Sequence, residues 1–257
     1  MEKVLFIDNR YYSDIYKKDI FESYDRIYLG NEFCDIQLPT EQQLNQIRTA
    51  SSLPITLIFP ILSEISFKNA TDCIDYAIRS NIGVDEIVFN DWGLYHYLNS
   101  KNIALKLVAG RMISKNKRDP RISDFDLNIL LTEEGMKALA APIQEHYIEY
   151  YKKFNIDRIE IDITCASLMR DVNDVSITIW DTWNILAVGR ICPFVNNWES
   201  YRVATICNKE CKNKSFFYTL NNKNQSSIVM QYGNAILYKS SKSIPPNCDR
   251  VVFSHYV

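Results

Sequence analysis

The strongest constraint on the fold is a regular alternation of short apolar runs with amphipathic stretches. Seven such runs lie within the first 180 residues, at 4–8, 26–29, 55–59, 86–90, 105–109, 158–163 and 176–180. Amphipathic segments such as "TEQQLNQIRTA", "NATDCIDYAIRS" and "DWGLYHYLNSKN" separate several of them. Strands that are apolar along their whole length are typical of parallel sheets with helices on both faces. The pattern therefore predicts an α/β fold with a parallel sheet.

The number of strands favours a TIM-like (β/α) barrel, which need not be complete or regular. A doubly wound sheet is the competing topology, because periodicity alone does not distinguish the two. After about residue 190 the sequence becomes polar and contains cysteines, and "SSIVMQYGNAILYKS" predicts a β-hairpin with Gly233 and Asn234 in its turn. We therefore expect a single domain over residues 1–257. It would consist of the α/β barrel in 1–190 and a cysteine-bearing C-terminal extension with the hairpin in 191–257.

The composition and the first residues indicate a cytoplasmic protein. The net charge of −2 does not favour a dedicated nucleic-acid binder. The opening "MEKVLFIDNR" enters a strand without the features of a signal peptide, and the longest apolar run, "LPITLIFPIL", is too short to cross a bilayer. We therefore expect no membrane span. In a reducing compartment, the seven cysteines are poor candidates for disulfides, and clustered cysteines are expected to bind metal or take part in catalysis.

The sequence lacks the motifs of common nucleotide-binding and hydrolytic sites. It contains no GxGxxG, P-loop, GxSxG or HExxH pattern. The three histidines are scattered, and no Ser/His/Asp or Cys/His grouping occurs locally. These observations count against protease activity.

The most specific chemical signal is the segment "RICPFVNNWESYRVATICNKEC". It contains Cys192, Cys207 and Cys211 in a C-x14-C-x3-C arrangement, and Cys34 is available as a fourth thiolate. Four thiolates suit a tetrahedral zinc ion or an iron–sulfur cluster. Zinc sites are usually built from close pairs of ligands, so this dispersed spacing favours a cluster inside a preformed fold, with zinc as the alternative.

The positions of the predicted strands also bear on the cysteines. Cys34 follows the second strand, and Cys192 follows the strand that ends at Trp180. In a parallel barrel both positions lie at the C-terminal face, where active sites of this architecture are built. The alternative interpretation of Cys34 is a small buried apolar residue with no chemical role. The spacing of the cysteines alone does not decide whether Cys34 is a ligand or such a buried residue.

Three segments of the chain resemble peptidase family U-32, the collagenase-like proteins. They are "RIYLGNEFC", "EIVFNDWGLYHYLNSKNIALKLVAG" and the region from "ILAVGRIC" through Cys211, and they are most similar to the smaller subunit type of the oxygen-independent ubiquinone hydroxylation system. In that group, a cysteine after a strand ending in "YLG" and a downstream trio hold a 4Fe–4S cluster at the mouth of a TIM-like barrel. The resemblance implies Cys34, Cys192, Cys207 and Cys211 as the ligands.

The resemblance also implies a function and partners. It implies a part in the oxygen-independent hydroxylation, or a related modification, of a small molecule. The first alternative is a non-catalytic iron–sulfur subunit that forms a heterodimer with a larger homologue. The second is hydroxylation of tRNA or ribosomal RNA. The historical label of peptidase has no support in the nucleophiles of this sequence.

Several residues near the predicted strand ends are candidates for substrate binding. Asn90 and Asp91 follow a strand directly, although capping of the next helix explains them equally well. Trp183, in "DTWN", occupies the neighbourhood in which the family has a Gly-His pair. With Arg111, these residues are expected to line a pocket beside the cluster. Asp162, at the end of "RIEID", is a further candidate, and if buried it needs a partner or a raised pKa.

A basic loop, "GRMISKNKRDPR", is expected at the barrel mouth. It contains Arg111, Lys115, Lys117, Arg118 and Arg121. A solvated charged loop explains this composition, and so does a rim that binds phosphate or carboxylate groups. The RNA alternative depends on this loop.

Overall fold

Eight parallel strands close into a barrel in this computed structural model. The structure describes residues 1–9, 18–114, 145–156, 158–163, 175–190, 192–195, 207–212, 214–222, 225–240, 244 and 248–254. Strands β1–β7 of the barrel are Glu2–Asp8, Arg26–Gly30, Ile55–Phe59, Val84–Phe89, Lys106–Ala109, Arg158–Asp162 and Ser176–Trp180, and the closing strand, β12, is Arg250–Ser254. The seven predicted strands and the α/β TIM-like fold are confirmed, and the barrel is complete.

The eighth strand of the barrel comes from the far end of the chain. β12 lies between β1 and β7 and is parallel to both, with Arg250 opposite Glu2 on one side and Thr178 on the other. The predicted barrel boundary at residue 190 is therefore wrong, because β12 completes the barrel. Without β12, β1 and β7 would expose unpaired backbone N–H and C=O groups at their edges.

The chain between β7 and β12 contributes a second, antiparallel sheet. Its strands are β8 (Trp183–Val188), β9 (Phe216–Asn222), β10 (Gln225–Tyr232) and β11 (Ala235–Lys239), and their order in the sheet is β8-β11-β10-β9. The predicted hairpin is confirmed, because Gly233 and Asn234 join β10 to β11. Gly233 has φ +60°, which suits the first central position of a type II′ turn.

Helices cover the outside of the barrel. The described α-helices are α1 (Glu41–Ala50), α2 (Glu64–Arg79), α3 (Trp92–Ser100) and α4 (Glu145–Lys153), and a 3-10 helix spans Lys18–Ser23. Thr40 and Ser63 cap α1 and α2 through capping boxes. Apolar faces of the helices pack on outward-facing strand residues, and Cys73 of α2 is buried in this layer. None of the helices in the described ranges is long and apolar enough to cross a membrane.

The interior of the barrel is filled with side chains, and the second sheet covers its C-terminal mouth. Both parts contribute to one buried apolar cluster. The barrel contributes Val4, Phe6, Tyr28, Ile58, Val88, Val108, Trp180 and Val252, and the sheet contributes Trp183, Ile185, Met230, Tyr232, Ala235 and Leu237. The face on which TIM-type barrels build their sites is therefore enclosed between two sheets.

Ion pairs close the opposite, N-terminal end of the barrel. Arg250 contacts Glu2 at 2.5 Å and Glu86 at 2.6 Å, and Arg26 contacts Glu2 at 2.8 Å and Asp85 at 2.5 Å. Groups at this end of a TIM-like barrel serve stability rather than chemistry. The candidate site is therefore to be sought at the covered end.

Candidate functional site

Cys34 lies in a turn directly after β2, at the mouth of the barrel. The turn begins at Gly30, whose φ is +145° and whose Cβ, if present, would lie 2.1 Å from the carbonyl oxygen of Ile58. Only glycine allows so close an approach of the two strands. The predicted position of Cys34 just past a strand end is confirmed.

The other three cysteines of the predicted site lie between two strands of the second sheet. Cys192 is predicted to follow the barrel strand that ends at Trp180. In the structure, β8 lies between that strand and Cys192. Cys207 and Cys211 precede β9, so the trio lies in the connection between β8 and β9. The four candidate cysteines therefore come from a turn after a barrel strand and from the connection between two strands of the second sheet.

Backbone N–H groups are directed at the thiols of three of these cysteines. The pairs are Ile36 with Cys34, Phe194 and Val195 with Cys192, and Lys209 with Cys207. The distance from the Lys209 nitrogen to Cys207 Sγ is 3.4 Å. Such donors stabilise negative charge on sulfur, and they tune the potential of metal-bound thiolates.

Cys34 and Cys192 each lie within electrostatic range of Cys207 and Cys211. Burial raises the pKa of Cys34 to about 12, with contributions from Cys211 and Cys207. Burial also raises the pKa of Cys192, and the same two neighbours contribute again. Both thiols therefore carry their protons at neutral pH unless a bound cation displaces them. In the described part of the chain, no three His, Cys, Asp or Glu side chains are arranged to hold a metal ion.

Arg111 is completely buried at the mouth and binds carboxylates of the chain itself. Its Nε and Nη2 donate to the two carboxylate oxygens of Glu32 at 3.0 and 2.5 Å. Its Nη1 donates to Asp162 Oδ1 at 2.9 Å and to the carbonyl oxygen of Trp183 at 2.8 Å. The guanidinium carbon also lies 4.2 Å from the ring centroid of Trp180.

These contacts correct the interpretation of Arg111 and settle the environment of Asp162. Arg111 is neither part of a solvated loop nor free to capture a substrate carboxylate, because Glu32 occupies its paired donors. Asp162 is buried and forms an ion pair with Arg111, which provides the partner that a buried carboxylate needs. The rest of the basic loop, Lys115, Lys117, Arg118 and Arg121, lies outside the described residues.

Asn90 and Asp91 connect loops of the barrel rather than line a pocket. Asn90 donates from Nδ2 to the Phe59 carbonyl at 2.9 Å and accepts the Met112 N–H at 2.9 Å. Asp91 caps α3 by accepting the Leu94 N–H, and its other oxygen accepts an N–H from the loop before α2. The capping alternative is confirmed for Asp91.

Trp183 lies between the barrel mouth and an open groove on the second sheet. It pairs across strands with Lys239, and Ile228 pairs with Thr219. With Phe217 and Tyr218, these residues line a groove of about 470 Å³. Phe217 and Ile228 are 49% and 45% exposed, so the groove is apolar and accessible. Of the residues predicted to bind substrate, Trp183 therefore borders this groove.

Glu160 is a buried carboxyl group below the mouth, in the barrel interior. Trp180 Nε1 donates to one of its oxygens at 2.9 Å, and the other has no hydrogen-bond partner among the described residues. Burial, reinforced by the charge of Glu32, raises the pKa of Glu160 to about 8. The group is therefore mostly neutral at pH 7.

Several residues of this mouth were missed in the sequence. Asn31 and Glu32 directly follow β2, and Asp8 ends β1. Asn90 was selected because it is a polar residue at the end of a barrel strand, and the same criterion selects these three residues. Glu160 had a weaker signal. In "RIEID" every second residue is polar, which indicates a strand with one polar face.

Comparison with known proteins assigns no family to the chain. No protein-family model matches the sequence, and no curated protein is significantly similar to it. Membership of the U-32 family stays a prediction from the cysteine pattern and the quoted segments.

Replacement of Arg111 by methionine is expected to destabilise the fold by about 3–5 kcal/mol, because Glu32 and Asp162 would stay buried without a compensating charge. Urea unfolding measures the change. The control is Arg79→Met on the exposed face of α2, with an expected effect within about 0.5 kcal/mol. Equal costs for the two variants would contradict the role given to Arg111.

Replacement of Glu160 by glutamine is expected to change how stability depends on pH. The folded-state pKa of about 8 lies above the ordinary 4.5, so the folded wild type binds the proton more tightly and loses stability as pH rises between these values. Glutamine keeps an acceptor for Trp180 and does not titrate. Relative to the wild type, Glu160→Gln should gain at least about 1 kcal/mol between pH 5 and pH 8. The exposed Gln42→Asn changes no titratable group and should keep the pH dependence of the wild type in the same urea titrations.

Proposed function

We propose that the chain is an iron–sulfur protein of the U-32 kind, in which Cys34, Cys192, Cys207 and Cys211 hold a 4Fe–4S cluster. The observation that supports the proposal is the electrostatic influence of Cys207 and Cys211, in the connection between β8 and β9, on Cys34 in the turn after β2. The electrostatic influence of Cys211 and Cys207 on both other thiols supports their proximity. The backbone N–H donors at three of the thiols add support.

The spacing of the cysteines along the sequence favours a cluster over zinc. Zinc sites are usually built from close pairs of ligands, whereas Cys192, Cys207 and Cys211 are dispersed and Cys34 is far from them in the chain. Zinc is the alternative, and the iron and sulfide content of the purified protein distinguishes the two.

The groove beside Trp183 supports a role in the modification of a small molecule. A bound cluster would supply one-electron transfer at the mouth. The chain would supply an apolar surface from Trp183, Phe217 and Ile228, and the ammonium group of Lys239 would attract an anionic group of the substrate. In this proposal the reaction is the oxygen-independent hydroxylation, or a related modification, of a ubiquinone-type precursor.

A second candidate function is that of a non-catalytic partner subunit with a structural or electron-relaying cluster. The observation in its favour is that Arg111, Asp162, Asn90 and Asp91 all bind groups of the chain itself. Glu160 is enclosed in the barrel interior and does not face the groove. The reacting groups would then come from a larger homologous subunit.

Protein purified without oxygen is expected to contain iron and sulfide and to absorb broadly in the visible range. Cys207→Ala should lose most of this iron and absorption, because it removes one of four ligands. Cys73→Ala is the matched control. Cys73 belongs to α2, its thiol is buried between this helix and the barrel, and it should be dispensable for the cluster. A colourless wild type with stoichiometric zinc would exclude the cluster.

The two roles are separated by turnover of a ubiquinone precursor under anaerobic conditions. A partner subunit should be inactive alone, form a complex with the larger homologue in size-exclusion chromatography, and support turnover only in that complex. A catalytic subunit should turn over the precursor by itself, and Ile228→Asp in the groove should reduce this turnover while leaving the iron content unchanged.

A further inference from the structure

Two asparagine side chains, Asn31 and Asn234, hold the segments that carry Cys34 and Cys192. We infer that both are positioning residues, which fix the spacing of these two cysteines for the cluster. The inference rests on the proposed function, because the spacing matters only if the cysteines share a ligand. Neither residue is among the candidates that the sequence suggested for ligation or substrate binding.

Asn31 fixes the conformation of the Cys34 turn. It is 1% exposed, and its Oδ1 accepts the N–H groups of Phe33 and Cys34 at 2.9 and 2.7 Å. Its Nδ2 donates to Asp8 Oδ2 at 3.0 Å. Asp8 also accepts a hydrogen bond from the hydroxyl of Tyr232 in the second sheet. The turn is therefore anchored to the barrel and, through Asp8, to the sheet that carries the other cysteines.

Asn234 connects the Cys34 turn to the Cys192 segment. Its Nδ2 donates to the carbonyl oxygen of Phe33 at 2.7 Å and to that of Gly189 at 2.8 Å. The Gly189 N–H donates in return to the Asn234 carbonyl at 2.9 Å. Phe33 immediately precedes Cys34, and Gly189 lies shortly before Cys192. One amide group thus determines how far apart the two cysteine-bearing segments lie.

The chemistry of the contacts requires an amide side chain at position 234. Bridging two carbonyl oxygens takes a group with two N–H donors, which aspartate and serine lack. The hairpin turn also fixes where this group lies, because the register of β10 and β11 is set by their pairing.

Cys207 and Cys211 are held by a local turn of the backbone. Lys209 adopts φ +63°, and its N–H faces Cys207 Sγ. The Lys212 N–H donates to the Lys209 carbonyl at 2.9 Å, so Cys207 and Cys211 share one local turn. Cys34 and Cys192 also lie in local turns, in which the Gln37 and Val195 N–H groups donate to the Cys34 and Cys192 carbonyls at 3.2 Å, but their segments are in addition joined by the long-range contacts of Asn234.

The test uses full-length protein reconstituted with ferrous iron and sulfide without oxygen. Loss of outer contacts to metal ligands typically costs about 10- to 100-fold in affinity, so Asn31→Ala and Asn234→Ala should release iron to a chelator at least about 10-fold faster than the wild type. Their electron paramagnetic resonance spectra in the reduced state should also differ from the wild type. Asn45→Ala, which removes the hydrogen bonds of Asn45 to Tyr76 on the outside of the barrel, is the matched control and should behave as the wild type.

A reciprocal exchange separates positioning from general damage to the fold. Asn31→Asp alone places a second carboxylate against Asp8 and should release iron as fast as Asn31→Ala. Combining it with Asp8→Asn restores an amide–carboxylate pair, in which the carboxylate oxygens now at position 31 still accept the turn N–H groups. The double variant should recover most of the iron retention. Urea unfolding of each variant verifies that it is folded.

The outcomes distinguish this inference from the proposed function. A wild type that takes up no iron overturns the proposed function and, with it, the inference. If the wild type takes up iron and both folded alanine variants retain it with unchanged spectra, the inference alone is overturned. The same follows if the reciprocal exchange gives no recovery and Asn234→Ala releases iron no faster than Asn45→Ala.

Discussion

The guanidinium group of Arg111 joins parts of the chain that no strand pairing connects. It donates to Glu32 after β2, to Asp162 at the end of β6 and to the first residue of β8. A buried guanidinium is tolerated only with its hydrogen-bond partners in place, so these segments must meet at one point. The second sheet therefore lies on the barrel through a charged contact as well as through the apolar contact of Met230 and Leu237 with the interior.

The candidate cysteine site depends on this junction. Cys34 follows a strand of the barrel, and the trio lies in the connection between β8 and β9, so a site that uses all four requires the second sheet to cover the mouth. The hydrogen bonds of Tyr232 and Asn234 extend the same junction toward the Cys34 turn. Enclosure between the sheets also accounts for the raised pKa of Cys34, because burial disfavours a bare thiolate there.

Much of the barrel could be predicted from sequence because most of its strands are largely apolar and several are flanked by recognisable helix signals. The eighth could not, since "RVVFS" has three consecutive apolar residues and begins with Arg250, whose charge is satisfied inside the barrel by Glu2 and Glu86. The ion pairs of Arg111 could not be predicted for a similar reason. Its partners lie 79 and 51 residues away, and local sequence does not reveal such pairings. Cysteine spacing indicated the candidate ligands, whereas the strand that separates Trp180 from Cys192 emerged only from the topology.

The pairing of β1 with β12 has a consequence for synthesis on the ribosome. Glu2 and Arg250 are 248 residues apart, so the first strand leaves the ribosome long before its partner exists. Contacts of such sequence separation form slowly, because a long loop must close before they contribute. Until then, β1 and β7 both present open edges, to which strands of other chains can pair. The nascent protein is therefore most vulnerable to misassociation just before β12 is released, which makes chaperone protection in that interval especially valuable.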